Sequence, residues 1–370
     1  MALSIALIAT ISQSTHAETP GRPAPTGGIL SLLPSPQTTE HSIEARGREL
    51  RYRAQAGTLS LLAGNADVTA EVFYVAYTLQ PEEGARSGAR PITFVFNGGP
   101  GAASAYLHLG AMGPRVLVTA ADGSFLPSPQ ALTDNPDTWL DMTDLVFVDP
   151  VGTGFSREAP GQEARSFWGV DQDAASMGAF IRLHLAQTGR TGSPVFLAGE
   201  SYGGFRAALL ARTLQEDIGI SPSGIFLISP ALEFMLLRPD EFDVLHHALE
   251  LPSLAAVRLK QEGVTGLEFR DRLAEVERFA LGDYLAALTG GLESGGQVAS
   301  ERVAAFTGLP LELVQQNFAR VSTGLFSREF ARSRGHVLSA YDGTVETGDN
   351  SRDSRRDGPP TRSFLEAFPC

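Results

Sequence analysis

Four short runs of the chain are almost continuously apolar. They are Pro91-Ile92-Thr93-Phe94-Val95-Phe96, Leu145-Val146-Phe147-Val148, Pro194-Val195-Phe196-Leu197-Ala198 and Ile225-Phe226-Leu227-Ile228. Each is too short for a core helix and rich in β-branched and aromatic residues, so each predicts a strand buried on both faces. Residues 168–188 carry apolar positions at helical spacing, and Phe205, Ala208, Leu209 and Ala211 continue at that spacing after the third run. Alternation of buried strand and helix predicts a mainly parallel sheet covered by helices on both faces. Upstream, polar and apolar residues alternate around Gly57 between Ile43 and Leu62, predicting a hairpin, and Ala70–Leu79 reads as a further strand. Pro81 to Ala89 reads as a charged turn. From about Arg238 to Arg334 only helical patterns occur. Leu273, Val276, Ala280, Tyr284 and Leu288 share one helix face, and Leu311, Val314 and Phe318 share another.

The third apolar run ends in Gly199-Glu200-Ser201-Tyr202-Gly203-Gly204. G-x-S-x-G between a buried strand and a helix is the pattern of a nucleophile elbow, a sharp turn that exposes the serine hydroxyl. Side chains two residues to either side would collide in such a turn, and Gly199 and Gly203 occupy those positions. Ser201 is therefore the candidate nucleophile. Asn97-Gly98-Gly99-Pro100-Gly101 follows the first run, where three glycines in five residues let the backbone turn and aim amides into a site. The segment is not a phosphate-binding loop, because G-x-x-x-x-G-K-[ST] and its lysine are lacking.

Composition narrows the partners. The formal net charge of -13 and the absence of any Lys/Arg run exclude nucleic acid and acidic surfaces as expected partners. The one cysteine, Cys370, can build neither a disulfide framework nor a cysteine metal site. No metal or organic cofactor is implied, no stretch is long and apolar enough to predict a membrane span, and oligomeric state is open. Residues 1–17 read as an export signal, with Leu3–Thr10 as apolar core and Thr15-His16-Ala17 as cleavage site, which predicts a bacterial periplasmic or secreted protein. Residues 18–40 read as a flexible leader, 41–235 as the core, 236–335 as a helical insertion and 336–370 as a divergent tail rich in proline and arginine.

Three blocks carry a resemblance. They are Phe96-Asn97-Gly98-Gly99-Pro100-Gly101-Ala102-Ala103-Ser104 with Gly113-Pro114, Asp149-Pro150-Val151-Gly152-Thr153-Gly154-Phe155-Ser156, and Gly199–Gly204. In this order they resemble the signatures of the serine carboxypeptidases, peptidases of the α/β-hydrolase fold, and Phe326-Ser327-Arg328-Glu329-Phe330 is similar to the bacterial branch. The resemblance runs from about residue 43 to about residue 345. It implies an α/β-hydrolase with a helical cap that releases C-terminal residues from peptides through an acyl-enzyme. It makes Ser201 the nucleophile, gives the backbone amides of Gly99 and Tyr202 to the oxyanion hole, and gives Asn97 and Glu200 to the substrate's terminal carboxylate. Two carboxyl groups at hydrogen-bond distance cannot both stay ionised cheaply. The resemblance therefore implies that Glu200 donates a proton to that carboxylate and that binding favours mildly acidic pH. Val95 and Ala111 stand where eukaryotic members have tryptophan and glutamate, which leaves hydrolysis of an ester or small acyl group as an alternative.

On this fold the chain order is Ser, then Asp, then His. Only His246, His247 and His336 follow Ser201. The first two fall in the helical block. His336 lies near Asp342, yet in a segment that resembles the family's exit from that block. The resemblance thus finds no catalytic Asp or His and fades near residue 345, as a frameshift or premature stop would produce. The expectation is a hydrolase lacking its late strands and two triad members, with a non-catalytic carboxylate- or peptide-binding remnant as the rival reading.

Overall fold

The computed structural model describes residues 36–81, 89–119, 131–237, 243–339 and 342–348. The expected export segment, most of the expected leader, most of the 81–89 turn and residues 349–370 of the expected tail lie outside the described residues. The core is a mixed sheet of β1 (Gln37–Ala45), β2 (Arg48–Leu62), β3 (Val68–Leu79), β4 (Ile92–Phe96), β5 (Asp144–Val148), β6 (Val195–Glu200) and β7 (Gly224–Ile228). Their order is β1-β2-β3-β5-β4-β6-β7, and Arg157–Glu158 adds a short rung beside β3. Pairing is antiparallel from β1 through β3 to β5 and parallel across β5, β4, β6 and β7. This sheet with its helices is an α/β-hydrolase fold.

The continuous apolar runs have the expected cause. Alternate residues of a strand face opposite sides. Phe94, Phe96, Val146, Val148 and Leu197 join one core with Phe180 and Ile181 of α1 (Val170–Gln187) and Ala207 and Leu210 of α2 (Tyr202–Thr213). Val95, Leu145, Phe147 and Ala198 join a second core with Leu107, Met112 and Leu140 from short helical turns on the other face. β7 departs from this rule. Ile225, Phe226 and Leu227 are 40%, 43% and 46% exposed, and among the described residues nothing pairs with its outer edge.

Three local expectations are corrected. Gly57 is no turn, because β2 runs straight through it. A Cβ there would lie 2.7 Å from the Pro36 side chain, so the glycine serves a close approach. The turn sits at Arg46-Gly47, both at positive φ, as a two-residue hairpin loop of matching twist requires. β1 consequently starts at Gln37, inside the segment read as leader. The helix carrying Leu311 and Val314 ends at Gln316, and Phe318 lies beyond it at φ 51°, 40% exposed.

The block after β7 has its own core, with Val276, Ala280, Tyr284 and Leu288 on one buried face as the spacing predicts. It comprises α3 (Val244–Gln261), α4 (Gly266–Phe279), α5 (Leu285–Thr289), α6 (Leu292–Thr307), α7 (Leu311–Gln316) and α8 (Thr323–Glu329). Asp243 caps α3 by accepting from the amides of Leu245 and His246. The first part of the expected tail is ordered: His336–Leu338 pairs antiparallel with Glu346–Gly348.

Candidate active site

Ser201 sits between β6 and α2 at φ 56° and ψ -122°, a combination that L-residues avoid and that costs on the order of 1–3 kcal/mol. Its surroundings hold it there. The Ser201 N–H donates to Ile228 O at 3.0 Å, and the Ser201 carbonyl accepts from the amides of Gly204 and Ala231, each at 3.0 Å. The glycines behave as the elbow pattern requires. A Cβ on Gly199 would fall inside the Gly203 carbonyl, and one on Gly203 would fall inside the Phe96 and Asn97 carbonyls.

The glycine-rich loop lies against this turn. A Cβ on Gly98 would sit 2.7 Å from the Ser201 Cβ and 2.8 Å from the Tyr202 nitrogen, so only glycine lets the two backbones meet. Gly99 and Gly101 follow at φ 110° and 106°. Register aligns the flanking residues: Phe96 pairs with Gly199, which places Asn97 beside Glu200. Asn97 Nδ2 donates to Glu200 Oε2 at 3.3 Å, and Asn97 Oδ1 accepts from the Leu107 N–H at 2.9 Å. Asn97, Glu200, Ser201, Tyr202 and the Gly98-Gly99 loop are therefore gathered at the C-terminal ends of β4 and β6, where open α/β sheets bind ligands.

Two supporting groups escaped the sequence reading. Arg206 is 3% exposed. Its Nε donates to Asp173 Oδ2 at 2.7 Å and its Nη1 to Asn97 O at 3.1 Å, tying α1, α2 and the glycine loop together. Burial raises the Asp173 pKa, and the Arg206 charge works against that rise. A lone arginine in a helix and an aspartate 33 residues earlier carry no spacing signal. Asp149, within the second block, accepts from the amides of Ser104 at 3.0 Å and Phe155 at 3.3 Å. Burial pushes its pKa up to about 6 against the pull of those amides and Arg157. Asp149, Ser104, Phe155 and His108 line a cavity of about 420 Å³. A second cavity of about 300 Å³ opens beside Tyr202, walled by Pro100, Val151, Trp168 and Arg206.

No general base meets Ser201 among the described residues, where its hydroxyl makes no side-chain hydrogen bond. Four of the described histidines are engaged elsewhere. His108 Nε2 lies 2.6 Å from the Tyr77 hydroxyl, and its ring stacks on Phe147 at 4.4 Å. His184 packs among Tyr74, Phe94 and Phe180. His246 lies beside Glu250, and His336 pairs with Glu346 at 3.1 Å instead of Asp342. Asp342 accepts from Thr344 in its own turn.

The serine carboxypeptidase family model matches residues 51–221. The matched stretch, 171 of the 370 residues, is similar to the serine carboxypeptidase family. It contains both glycine-rich loops and the elbow. No curated protein matches the sequence. Among solved structures the chain is similar to a prohormone-processing carboxypeptidase from Saccharomyces cerevisiae, at 18% identity and TM-score 0.48, over 85% of this chain and 61% of that one. It thus spans about three-fifths of the length of that carboxypeptidase. It is also similar to the rice cell wall degrading esterase LipA from Xanthomonas oryzae, at 16% identity and TM-score 0.36 over 77% of each chain. A third likeness is to a bacterial heroin esterase, at 21% identity and TM-score 0.28, over 50% of this chain and 46% of that one.

Proposed function

We propose that this protein is a serine-type carboxypeptidase whose Ser201 attacks the last peptide bond of a substrate, with Asn97 and Glu200 gripping the free terminal carboxylate. The observation that carries the reading is the Asn97–Glu200 hydrogen bond beside Ser201. A paired amide and carboxyl group at that point suits recognition of a free carboxylate. The amides of Gly99 and Tyr202 serve as oxyanion donors, supported by the enforced contact of the Gly98 backbone with the Ser201–Tyr202 turn. The apolar cavity beside Tyr202 suits the side chain of a peptide substrate. Export to the periplasm rests on residues 1–17, and mass spectrometry of the mature protein should find an N-terminus near Glu18.

The lack of a hydrogen bond to the Ser201 hydroxyl among the described residues favours a second reading, a carboxylate- or peptide-binding protein without catalysis. A fluorophosphonate probe separates the two. Rapid labelling that Ser201→Ala abolishes supports the enzyme. Binding of peptides with a free C-terminus but no labelling supports the binding protein. Labelling with turnover of esters and none of peptides supports an esterase on the same fold.

A further inference from the structure

We infer that His246, His247 and Glu250 form a binding site for a divalent transition metal of the zinc type at the start of the helical cap. The three residues occupy positions i, i+1 and i+4 of α3, and one donor atom from each lies within 4.8 Å of the others.

The hydrogen bonding at this point is what a cation would complete. His246 Nδ1 lies 2.6 Å from Leu236 O. A carbonyl oxygen only accepts, so Nδ1 carries a proton, and Nε2 is the nitrogen left to face a metal. That nitrogen lies 3.1 Å from Glu250 Oε2, so the two donor atoms already converge on one point. A backbone carbonyl orienting the far nitrogen of a metal-binding histidine is the usual supporting arrangement. His247 Nδ1 is buried with no hydrogen-bond partner. Glu250 is itself held, since Thr323 Oγ1 donates to its Oε1 at 2.7 Å and the Thr323 N–H to its Oε2 at 3.2 Å.

The spacing fits. Bonds of about 2.0–2.1 Å in a tetrahedron put ligand atoms about 3.3 Å apart. The His246–Glu250 separation is already close to this. Two imidazoles and one carboxylate suit zinc, nickel or cobalt better than calcium or magnesium. An imidazolium–carboxylate pair between His246 and Glu250 would account for their contact alone and leave His247 Nδ1 unexplained.

Arg320 is the opposing charge, and it acts on His247. Its Nε and Nη1 are also buried without partners. Three protein ligands leave a fourth position, and an anion there would offset both the metal and Arg320. A bound metal would join the segment at Leu236, the first turns of α3 and the start of α8.

The test uses the full chain freed of metal by chelation. Zn²⁺ should bind one-to-one by calorimetry and raise Tm in a concentration-dependent way. Co²⁺ should give visible absorption of the intensity typical of four-coordinate sites. His247→Gln removes the unpartnered Nδ1 together with the ring's hydrogen bond to the Val321 backbone, and should weaken Zn²⁺ by at least about tenfold, the lower end of losses seen even for outer-sphere partners. Glu250→Gln should do the same, and His336→Gln should leave affinity unchanged. Binding that neither His247→Gln nor Glu250→Gln weakens would overturn the assignment. So would the absence of one-to-one binding by both calorimetry and Co²⁺ absorption in a chain that circular dichroism shows to be folded.

Discussion

Asn97 and Glu200 hold each other across two parallel strands, with Asn97 Nδ2 donating to Glu200 Oε2 at 3.3 Å. The amide cannot turn over, because Asn97 Oδ1 is occupied by the Leu107 N–H. Its donor edge is thus fixed toward the point where a substrate carboxylate would arrive. Hydrogen bonds to charged groups contribute about 1.5–3 kcal/mol, so Asn97→Ala should raise KM for peptides with a free C-terminus by about 10–100-fold. Substrates with a blocked C-terminus should change little. Equal losses on both would remove the carboxylate-recognition role. Glu200→Ala removes the partner that holds the Asn97 amide and should raise KM for the same peptides.

The strained turn at Ser201 gives a stability signature independent of substrate. At φ 56° a glycine relieves strain that alanine retains. Ser201→Gly should therefore be more stable than Ser201→Ala by about 1–2 kcal/mol in chemical denaturation, although glycine is normally the less stable residue. Both variants should lose fluorophosphonate labelling. An order reversed in favour of alanine would mean that the turn relaxes in solution.

Much of this architecture was legible because the elbow is a local device. Gly199, Ser201 and Gly203 must stand at fixed offsets, and β4 to β7 announce themselves as apolar runs. What was hidden depends on distant partners. Gly57 looked like a turn because glycine usually breaks strands, and nothing local says that Pro36 will pack over it. Arg206 and Asp173 meet only once α1 and α2 cover the sheet. His246 and His247 read as residues of the helical block, and their significance rests on Glu250, on Leu236 O and on a nitrogen left unpaired by the fold.

The Arg206–Asp173 pair should be costly to break and cheaper to remove whole. Arg206→Met leaves a buried carboxylate unpaired and should destabilise by about 3–5 kcal/mol. Adding Asp173→Asn should return part of that loss. Urea denaturation of the single and double variants measures the coupling, and purely additive effects would contradict it. Arg206 also supports Asn97 O, so the double variant should remain impaired toward substrate even where stability recovers.

The edge at β7, unpaired among the described residues, should govern self-association. Ile225, Phe226 and Leu227 are exposed there, and Leu232 and Met235 just beyond are 69% and 75% exposed. An apolar unpaired strand edge templates aggregation, and a charge on it opposes pairing. Leu227→Lys should lower light scattering and shift elution toward the monomer. Unchanged association would place the sticky surface elsewhere.

Stability should fall on acidification, most strongly through His108 and His184, opposed by Asp149 and Asp173. Burial holds the His108 and His184 pKa values down to about 3 and about 4, from an ordinary 6.5, with Arg190 adding to the effect on His184. The unfolded chain takes up those protons first. The stability they contribute is therefore fully present above pH 6.5 and is lost as pH falls toward 4 and 3. Asp149 has the opposite sign. Its folded pKa of about 6 exceeds the ordinary 3.8, so its contribution is full below pH 3.8 and is lost as pH rises through 6. One pKa unit corresponds to about 1.4 kcal/mol, so Asp149 offsets roughly 3 kcal/mol of a larger histidine loss. His184→Phe, which keeps an aromatic ring against Tyr74, Phe94 and Phe180, should flatten the fall of Tm between pH 6.5 and 4. Asp149→Asn should steepen it. Tm measured against pH for the three proteins decides the matter, and a flatter profile in Asp149→Asn would show that Asp149 is ionised in the folded protein well below pH 6.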